Sequence, residues 1–87
     1  MGRMKPVTVY GNASCAFCGA ARMLLTKKGI EFEDINVAAD PAIFSEMSQR
    51  TGSRTVPQIF IGETPIGGFD ELYALDKSGE LDKMLAD

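Results

Sequence analysis

Residues 7–18 read VTVYGNASCAFC, and this segment contains both cysteines of the chain, Cys15 and Cys18. It begins with an apolar run typical of a β-strand and leads into a helical pattern from Ala20 to Lys28. A Cys-x-x-Cys at a strand-to-helix turn places its first sulfur at a helix N-terminus, where unpaired N–H groups and the helix dipole stabilise a thiolate. The segment therefore predicts a redox-active dithiol.

The rest of the chain predicts eight elements in the order β-α-β-α-β-β-α-α. Asp40-Pro41 combines a helix N-cap with a proline at the first helical position, and Gly52 and Gly79 are typical helix stops. Pro65 cannot donate a ladder hydrogen bond, so its strand is predicted at a sheet edge. The predicted bounds are strands at 6–10, 32–37, 58–61 and 64–66, and helices from 15 or 16 to 28, at 41–52, at 69–78 and around 81–85.

Apolar spacing indicates which helical side chains face the core. Ile43 and Met47 are expected inward in the second helix, and Leu72, Tyr73 and Leu75 in the third. A strand-helix-strand start requires a parallel pair with a crossover, and the later hairpin adds an antiparallel edge. We therefore predict an α/β chain with a thioredoxin-like fold: a four-stranded mixed sheet flanked by helices, in a single domain spanning residues 1–87. The cysteines then lie at the carboxyl end of the first strand, where open α/β sheets bind ligands.

Composition narrows the class of protein and its partners. A length of 87 residues suits one domain, and 45% apolar with 24% charged residues is typical of a soluble globular chain. The N-terminus has no apolar stretch long enough for a signal-peptide core and no segment approaches a membrane span, so a cytoplasmic location is predicted. A net charge of −3 disfavours nucleic acid and anionic membranes as partners. We expect a monomer whose partners are small molecules or other proteins.

Three structural explanations for the cysteine pair compete with the redox interpretation, and the first of them, a pair of inert buried thiols, would be a coincidence at this spacing and position. A structural disulfide is disfavoured without a secretory signal, and so short a loop would remove little entropy from the unfolded chain. A structural zinc site needs four ligands, yet the chain has two cysteines and no histidine. The redox interpretation is therefore preferred.

Three blocks of sequence resemble those of glutaredoxins, in the same order and at similar separations. They are Cys15-Ala16-Phe17-Cys18, residues 55–62 (TVPQIFIG) and residues 67–72 (GGFDEL). The small bacterial dithiol glutaredoxins are the nearest likeness, including residues 72–75 (LYAL), and the resemblance extends from about Val7 to Leu85. A Cys-x-x-Cys alone is a weak signal, but its combination with the other two blocks is specific.

The resemblance implies a catalytic dithiol with Cys15 as the nucleophile and Cys18 as the resolving thiol. It implies glutathione as the cosubstrate, no tightly bound cofactor, and glutathionylated or disulfide-containing proteins as substrates. A thiolate attacks a disulfide sulfur through a mixed disulfide, which a second nearby thiol can resolve. Cys18 would be dispensable for glutathione mixed disulfides.

The resemblance also implies a glutathione site. A cis Val56-Pro57 bond would free the Val56 backbone to pair with the cysteinyl unit, next to Thr55. Gly68, Phe69 and Asp70 would hold the γ-glutamyl end, where an ammonium needs an acid and a carboxylate needs a helix N-terminus.

Each of these positions also has an ordinary structural explanation. Pro57 suits the start of a strand, and Asp70 suits a helix cap, a role compatible with binding. Arg54 is either a solvated charge or a cation that attracts the carboxylates of glutathione. Phe17 either packs on the substrate, which we favour, or shields the helix start.

Several residues depart from the common glutaredoxin pattern. Ala16 and Phe17 replace a proline and a tyrosine, Asn12 replaces a lysine, and Phe44 replaces a basic or amide residue. The last two changes weaken the expected grip on the glycyl carboxylate, since a hydrogen bond to a charged group contributes about 1.5–3 kcal/mol. Two alternatives therefore stay open: a thioredoxin-like protein disulfide reductase served by a reductase enzyme, and a dimer bridging a two-iron two-sulfur cluster through Cys15 of each chain and two glutathione thiols.

Overall fold

The predicted element order is confirmed by a computed structural model, which describes residues 5–86. Every bound lies within one residue of its prediction. The elements are β1 (Val7–Gly11), α1 (Ala16–Lys27), β2 (Phe32–Asn36), α2 (Pro41–Thr51), β3 (Gln58–Ile61), β4 (Thr64–Gly67), α3 (Phe69–Ser78) and α4 (Glu80–Leu85).

The four strands form one mixed sheet in the order β2-β1-β3-β4. β1 pairs in parallel with β2, with Val7 opposite Phe32, and antiparallel with β3, with Val7 opposite Ile61. β4 pairs antiparallel with β3 and forms one edge of the sheet, so the edge position predicted from Pro65 is confirmed. This arrangement is the thioredoxin-like fold that the element order predicts.

Local signals explain where the helices begin and end. The Asp40 carboxylate accepts a hydrogen bond from the Ala42 N–H at 2.9 Å, which caps α2 directly before Pro41. Gly52 ends α2 with a φ of 72°, a left-handed conformation that favours glycine. The helix that carries the cysteines, α1, begins directly after Cys15, so the turn from β1 into α1 sets the position of the first sulfur.

The core consists of two clusters, one on each face of the sheet. Successive β1 side chains alternate, so Val9 faces one cluster and Tyr10 the other. The larger cluster joins β1 and β3 to α1 through Leu25 and to α3 through Leu72. The smaller cluster lies under α2 and includes Met47. Ile59 lies opposite both Val9 of β1 and Gly67 at the end of β4, so α3, like α1, begins near the carboxyl end of β1.

The prediction that Tyr73 faces the core was wrong. Leu72 is fully buried, whereas Tyr73 is 47% exposed. The buried stripe of α3 runs through Leu72 and the partly buried Leu75, and Tyr73 lies one turn after Phe69 along the flank of the helix. None of the helices between residues 5 and 86 has the length and apolar character needed to cross a membrane.

Candidate active site

Cys15 and Cys18 are free thiols in different environments. Cys15 is the N-cap of α1, and its carbonyl accepts the first intrahelical hydrogen bond, from the Gly19 N–H at 3.2 Å. Its side chain is half-buried, whereas the Cys18 side chain is completely buried one turn into the helix. The first-turn N–H groups of α1 lack intrahelical acceptors and lie around the Cys15 sulfur. Of the two sulfurs, only that of Cys15 is open to an approaching disulfide.

The same contacts separate the acidities of the two thiols. The N–H and the thiol of Cys18 both hydrogen-bond to the Cys15 sulfur, and these bonds lower the pKa of the Cys15 thiol. Burial opposes this effect, while the Phe17 N–H and the Arg22 guanidinium reinforce it. Burial is the main cause that raises the pKa of the Cys18 thiol. The arrangement favours a thiolate on Cys15 and a protonated thiol on Cys18.

Arg22 is a site residue that the sequence analysis missed. It lies one helical turn after Cys18, and its Nη2 donates to the Asn12 carbonyl oxygen at 3.0 Å. Its Nε lies 2.9 Å from Asp34 Oδ2 on the neighbouring strand β2. The guanidinium is thus held beneath the cysteine turn. The spacing of four residues from Cys18 was the available signal.

We expect Cys15 to be alkylated by iodoacetamide with a pH midpoint below about 8.5, the ordinary value of a cysteine thiol, and Cys18 with a higher midpoint. Hydrogen bonds favour the Cys15 thiolate, and burial disfavours the Cys18 thiolate. The measurement is alkylation of the reduced protein across a pH series, with the two cysteines resolved by peptide mass spectrometry. Equal midpoints for the two cysteines would contradict the expectation.

Arg22→Gln tests one cause of this difference. It should move the Cys15 midpoint upward, because it removes a nearby positive charge. Lys83→Gln is the matched control, since it removes a cation from α4, which is far from Cys15. The Leu85 carbonyl of α4 accepts a hydrogen bond from the Lys5 N–H, at the opposite end of β1 from the cysteines.

The lowered pKa of Cys15 also makes the stability of the fold depend on pH. Because the folded-state pKa of Cys15 is lowered, its thiolate adds stability above the unfolded-state pKa, and this stability is lost as the pH falls through the folded-state pKa.

The Val56-Pro57 peptide bond is cis, and the Cys15 thiol lies against it. The thiol donates to the Val56 carbonyl oxygen at a sulfur-to-oxygen distance of 3.8 Å, although the two residues are 41 positions apart. The buried Gln58, which the sequence analysis missed, holds the preceding turn: its Nε2 donates to the Thr55 carbonyl oxygen at 2.9 Å and to Thr55 Oγ1 at 3.1 Å. A buried amide at the start of an apolar strand was the sequence signal.

The start of α3 lies across from this turn, close to Pro57. A Cβ placed on Gly68 would lie 3.4 Å from the Pro57 carbonyl oxygen, so the two segments approach closely. The structural alternative for Asp70, a cap of α3, does not apply, because the N-cap is Gly68 and the capping carboxylate belongs to Glu71. Glu71 Oε1 accepts a hydrogen bond from the Gly68 N–H at 2.8 Å. Asp70 is exposed in the first turn of α3 and is not engaged in capping.

These segments enclose a cleft of about 420 Å³ next to Cys15, within the size range of small-molecule sites. Most of the predicted glutathione-site residues line it together: Phe17, Thr55, Val56, Pro57, Gly68, Phe69 and Asp70. The lining also includes residues that the sequence analysis did not single out: Thr51, Ser53, Gln58, Gly67 and Glu71. The cleft thus brings together three segments that are far apart in the sequence.

Three of the singled-out positions, Arg54, Phe44 and Asn12, lie away from this lining. Arg54 is exposed, and its guanidinium carbon lies 5.3 Å from the centre of the Phe44 ring, within cation–π distance. Phe44 therefore orients Arg54 beside the Thr55 turn, outside the cleft. The Asn12 side chain accepts a hydrogen bond from the Ser14 N–H at 3.1 Å and so supports the cysteine turn.

The fit of a metal or cluster depends on the ligands that one chain offers. Within residues 5–86, no group of three or more histidine, cysteine or acidic side chains is arranged to hold a metal ion. Cys15 is half-buried and Cys18 is fully buried, so one chain presents one accessible thiolate. A cluster would require Cys15 from two chains and thiols from elsewhere.

Comparison with known proteins gives consistent results. The glutaredoxin family model matches residues 7–66. A glutaredoxin of Pseudomonas aeruginosa is 45% identical over 83 residues, which cover 95% of this chain and 99% of that protein. The solution structure of a Brucella melitensis glutaredoxin has a TM-score of 0.84 and 45% identity, covering 97% of this chain and 91% of that one. A buckwheat glutaredoxin–glutathione complex has a TM-score of 0.86 and 32% identity, covering 93% of this chain and 76% of that one.

Proposed function

This chain belongs to the glutaredoxin family of thiol-disulfide oxidoreductases, and on that premise we propose that it reduces glutathione mixed disulfides and protein disulfides with glutathione as its reductant. The observation that carries this proposal is the cleft beside Cys15, which is lined by Val56, Pro57, Gly68 and Asp70. A small peptide thiol bound there would have its sulfur next to the nucleophile.

The proposed reaction has two balanced exchanges. The Cys15 thiolate attacks the glutathione sulfur of a mixed disulfide, and the substrate leaves as a thiolate that takes up a proton. The new bond joins Cys15 to glutathione. The thiolate of a second glutathione then attacks the sulfur of the bound one, releasing glutathione disulfide and restoring the Cys15 thiolate. The incoming glutathione is oxidised and the substrate sulfur is reduced, while the glutathione that the substrate carried stays in a disulfide throughout.

Protein disulfides would use both cysteines. Cys15 forms a mixed disulfide with one substrate sulfur, and the second substrate sulfur leaves as a thiolate. Cys18, once deprotonated, attacks the Cys15 sulfur and releases the other substrate thiolate. The raised pKa of Cys18 keeps it protonated, and so unreactive, until the exchange begins. Glutathione then reduces the Cys15–Cys18 disulfide in two further exchanges.

The chemistry of the cleft suits the parts of glutathione. The cysteinyl unit would lie along the Val56 backbone, next to the Cys15 sulfur. The γ-glutamyl ammonium would pair with the exposed Asp70 carboxylate. The carboxylate of the γ-glutamyl unit would accept hydrogen bonds from first-turn N–H groups of α3, which an α-helix leaves without intrahelical acceptors. The Gly68 N–H is already bonded to Glu71, so Phe69 and Asp70 supply the N–H groups. Arg54 would attract the glycyl carboxylate from outside the cleft.

The test is glutathione-coupled reduction of glutathionylated cysteine, a substrate with no polypeptide attached. The wild-type protein should reduce this substrate. Asp70→Asn should raise the KM for glutathione about tenfold or more, because a hydrogen bond to a charged group contributes about 1.5–3 kcal/mol. Glu63→Gln is the matched control, since Glu63 is an exposed acid in the β3–β4 turn and does not line the cleft. We expect its KM to equal that of wild type.

Absence of turnover by wild type would overturn the proposal. Reduction of protein disulfides with thioredoxin reductase would then assign the chain to a reductase-coupled role. Visible absorption after anaerobic reconstitution would instead indicate the cluster-bridged dimer. The monomeric state and the cytoplasmic location are part of the proposal and stay predictions.

A further inference from the structure

Three large apolar side chains are exposed among residues 5–86, and all of them border one surface. Phe17 is 60% exposed, Met23 65% and Tyr73 47%. Phe17 and Met23 belong to α1, and Tyr73 belongs to α3, the helix packed beside it. Exposed apolar side chains that lie together indicate a binding surface more strongly than scattered ones.

The aromatic members form a continuous row along the start of α3. The ring centres of Phe17 and Phe69 lie 6.2 Å apart, and those of Phe69 and Tyr73 lie 5.8 Å apart. Both distances are within the range of favourable aromatic pairs. Phe17 and Phe69 also line the cleft beside Cys15, so the row begins at the reaction site and leads away from it.

Phe69 also lines a groove between the two helices, here called the α1–α3 groove. Its α1 wall contains Ala20, Met23 and Leu24, and Lys27 lies on its rim. At its far end, Lys28 Nζ pairs with Asp76 Oδ1 at 2.7 Å and ties the two helices together. The groove is therefore lined by apolar side chains with charged side chains at its rim, as protein interfaces commonly are.

We propose that the α1–α3 groove and the aromatic row dock the polypeptide that carries a substrate disulfide, and that they favour substrates with a large apolar side chain a few residues from the reacting cysteine. The proposal rests on the reaction site assigned above. A substrate disulfide must reach Cys15, because Cys18 is buried, and the chain attached to that disulfide must then leave the cleft. The aromatic row offers the adjoining apolar surface.

The dimensions suit a polypeptide better than glutathione alone. From Phe69 to Lys77, α3 rises about 12 Å, which an extended chain covers with about four residues. Tyr73 lies within this span but is absent from the lining of the cleft beside Cys15, which contains Phe69 and Asp70. Truncating Tyr73 should therefore weaken the binding of polypeptide substrates and leave the turnover of glutathionylated cysteine unchanged.

The test measures single-turnover reduction of a peptide disulfide by the reduced protein without glutathione. Cys15 and Cys18 supply the two electrons: Cys15 bonds to one peptide sulfur, Cys18 displaces it, and the products are a peptide dithiol and the Cys15–Cys18 disulfide. Two peptides of equal length are compared, one with leucine four residues after its reacting cysteine and one with serine there. Wild type should reduce the leucine peptide about three- to tenfold faster at subsaturating concentration.

Tyr73→Ala and Met23→Ala are expected to remove most of that preference. Tyr73→Phe and Met23→Leu are the matched controls, since each keeps an apolar side chain of similar size. Glutathione-coupled turnover of glutathionylated cysteine by all four variants should equal that of wild type. This second assay also shows whether the variants are folded.

The outcomes separate the docking proposal from the proposed function. Equal rates for the two peptides with wild type, or an unchanged preference in both alanine variants, would overturn the docking proposal. If the alanine variants lost glutathionylated-cysteine turnover to the same extent as peptide reduction, the docking proposal would be overturned too. Tyr73 and Met23 would then act on the reaction site itself. Failure of wild type to use glutathione would overturn only the proposed function, because the peptide assay needs no glutathione.

Discussion

Cys15→Ser is expected to lower kcat/KM for disulfide reduction by at least about a thousandfold. A serine hydroxyl does not ionise near neutral pH and cannot replace a thiolate as the attacking group. Cys18 cannot take over, because its side chain is fully buried and its pKa is raised by that burial. The measurement is glutathione-coupled turnover of a glutathionylated peptide by the two proteins at equal concentration.

Cys18→Ser is the matched comparison, and its outcome depends on the substrate. With the glutathionylated peptide it should retain turnover within about tenfold of wild type, because a second glutathione can resolve the intermediate on Cys15. With a protein disulfide it should instead accumulate a mixed disulfide through Cys15, detectable on a non-reducing gel. An equal loss in Cys15→Ser and Cys18→Ser with the glutathionylated peptide would show that both thiols are obligatory.

Gly11→Ala is expected to destabilise the fold by about 2 kcal/mol, a typical cost of overpacking a core. A Cβ on Gly11 would lie 2.6 Å from Cys18 Sγ and 3.2 Å from Cys18 Cβ, both of which are held by the first turns of α1. Cys18 must then move relative to β1, which should weaken its bonds to the Cys15 sulfur and raise the Cys15 pKa. Thermal unfolding should show a fall in Tm of roughly 10 °C for a chain of this size.

Gly19→Ala is the matched control for this change. Gly19 lies within α1, and a Cβ there would meet no atom within 4 Å. Alanine should therefore stabilise the helix by about 0.5–1 kcal/mol relative to glycine, without moving Cys18. If Gly11→Ala unfolds at the wild-type temperature and its Cys15 alkylation midpoint is unchanged, close packing of β1 against Cys18 does not set the position of the dithiol.

The fold was predictable because its signals are local and agree with one another. Asp40-Pro41, the glycine stops and Pro65 each restrict the backbone at their own positions, and the apolar spacing of each segment matches the element it forms. The Cys15 position was predictable for the same reason, since a helix start is recognisable from a few neighbouring residues. Tyr73 was misplaced because Tyr73 and Leu75 are two positions apart, and such residues lie on nearly opposite sides of a helix and cannot both face the core.

The site was predictable only in part. The sequence blocks indicated the residues around Val56 and Asp70, but they did not reveal that Glu71 caps α3, that Gln58 holds the Thr55 turn, or that Arg22 lies beneath the cysteines. Several polar side chains at the start of α3 could each have capped it. The packing of the helix against Pro57 and the rotamer of each side chain determine which of them does so.

The order of elements, the helix boundaries and the helix-capping position of Cys15 follow from the sequence of this chain, because they depend on hydrogen bonds and steric limits among near neighbours. Three contacts depend instead on the tertiary structure. They are the hydrogen bond from the Cys15 thiol to the Val56 carbonyl, the ion pair of Arg22 with Asp34, and the cation–π contact of Arg54 with Phe44. These contacts join segments that only the strand register and helix packing bring together, and so no local pattern encodes them.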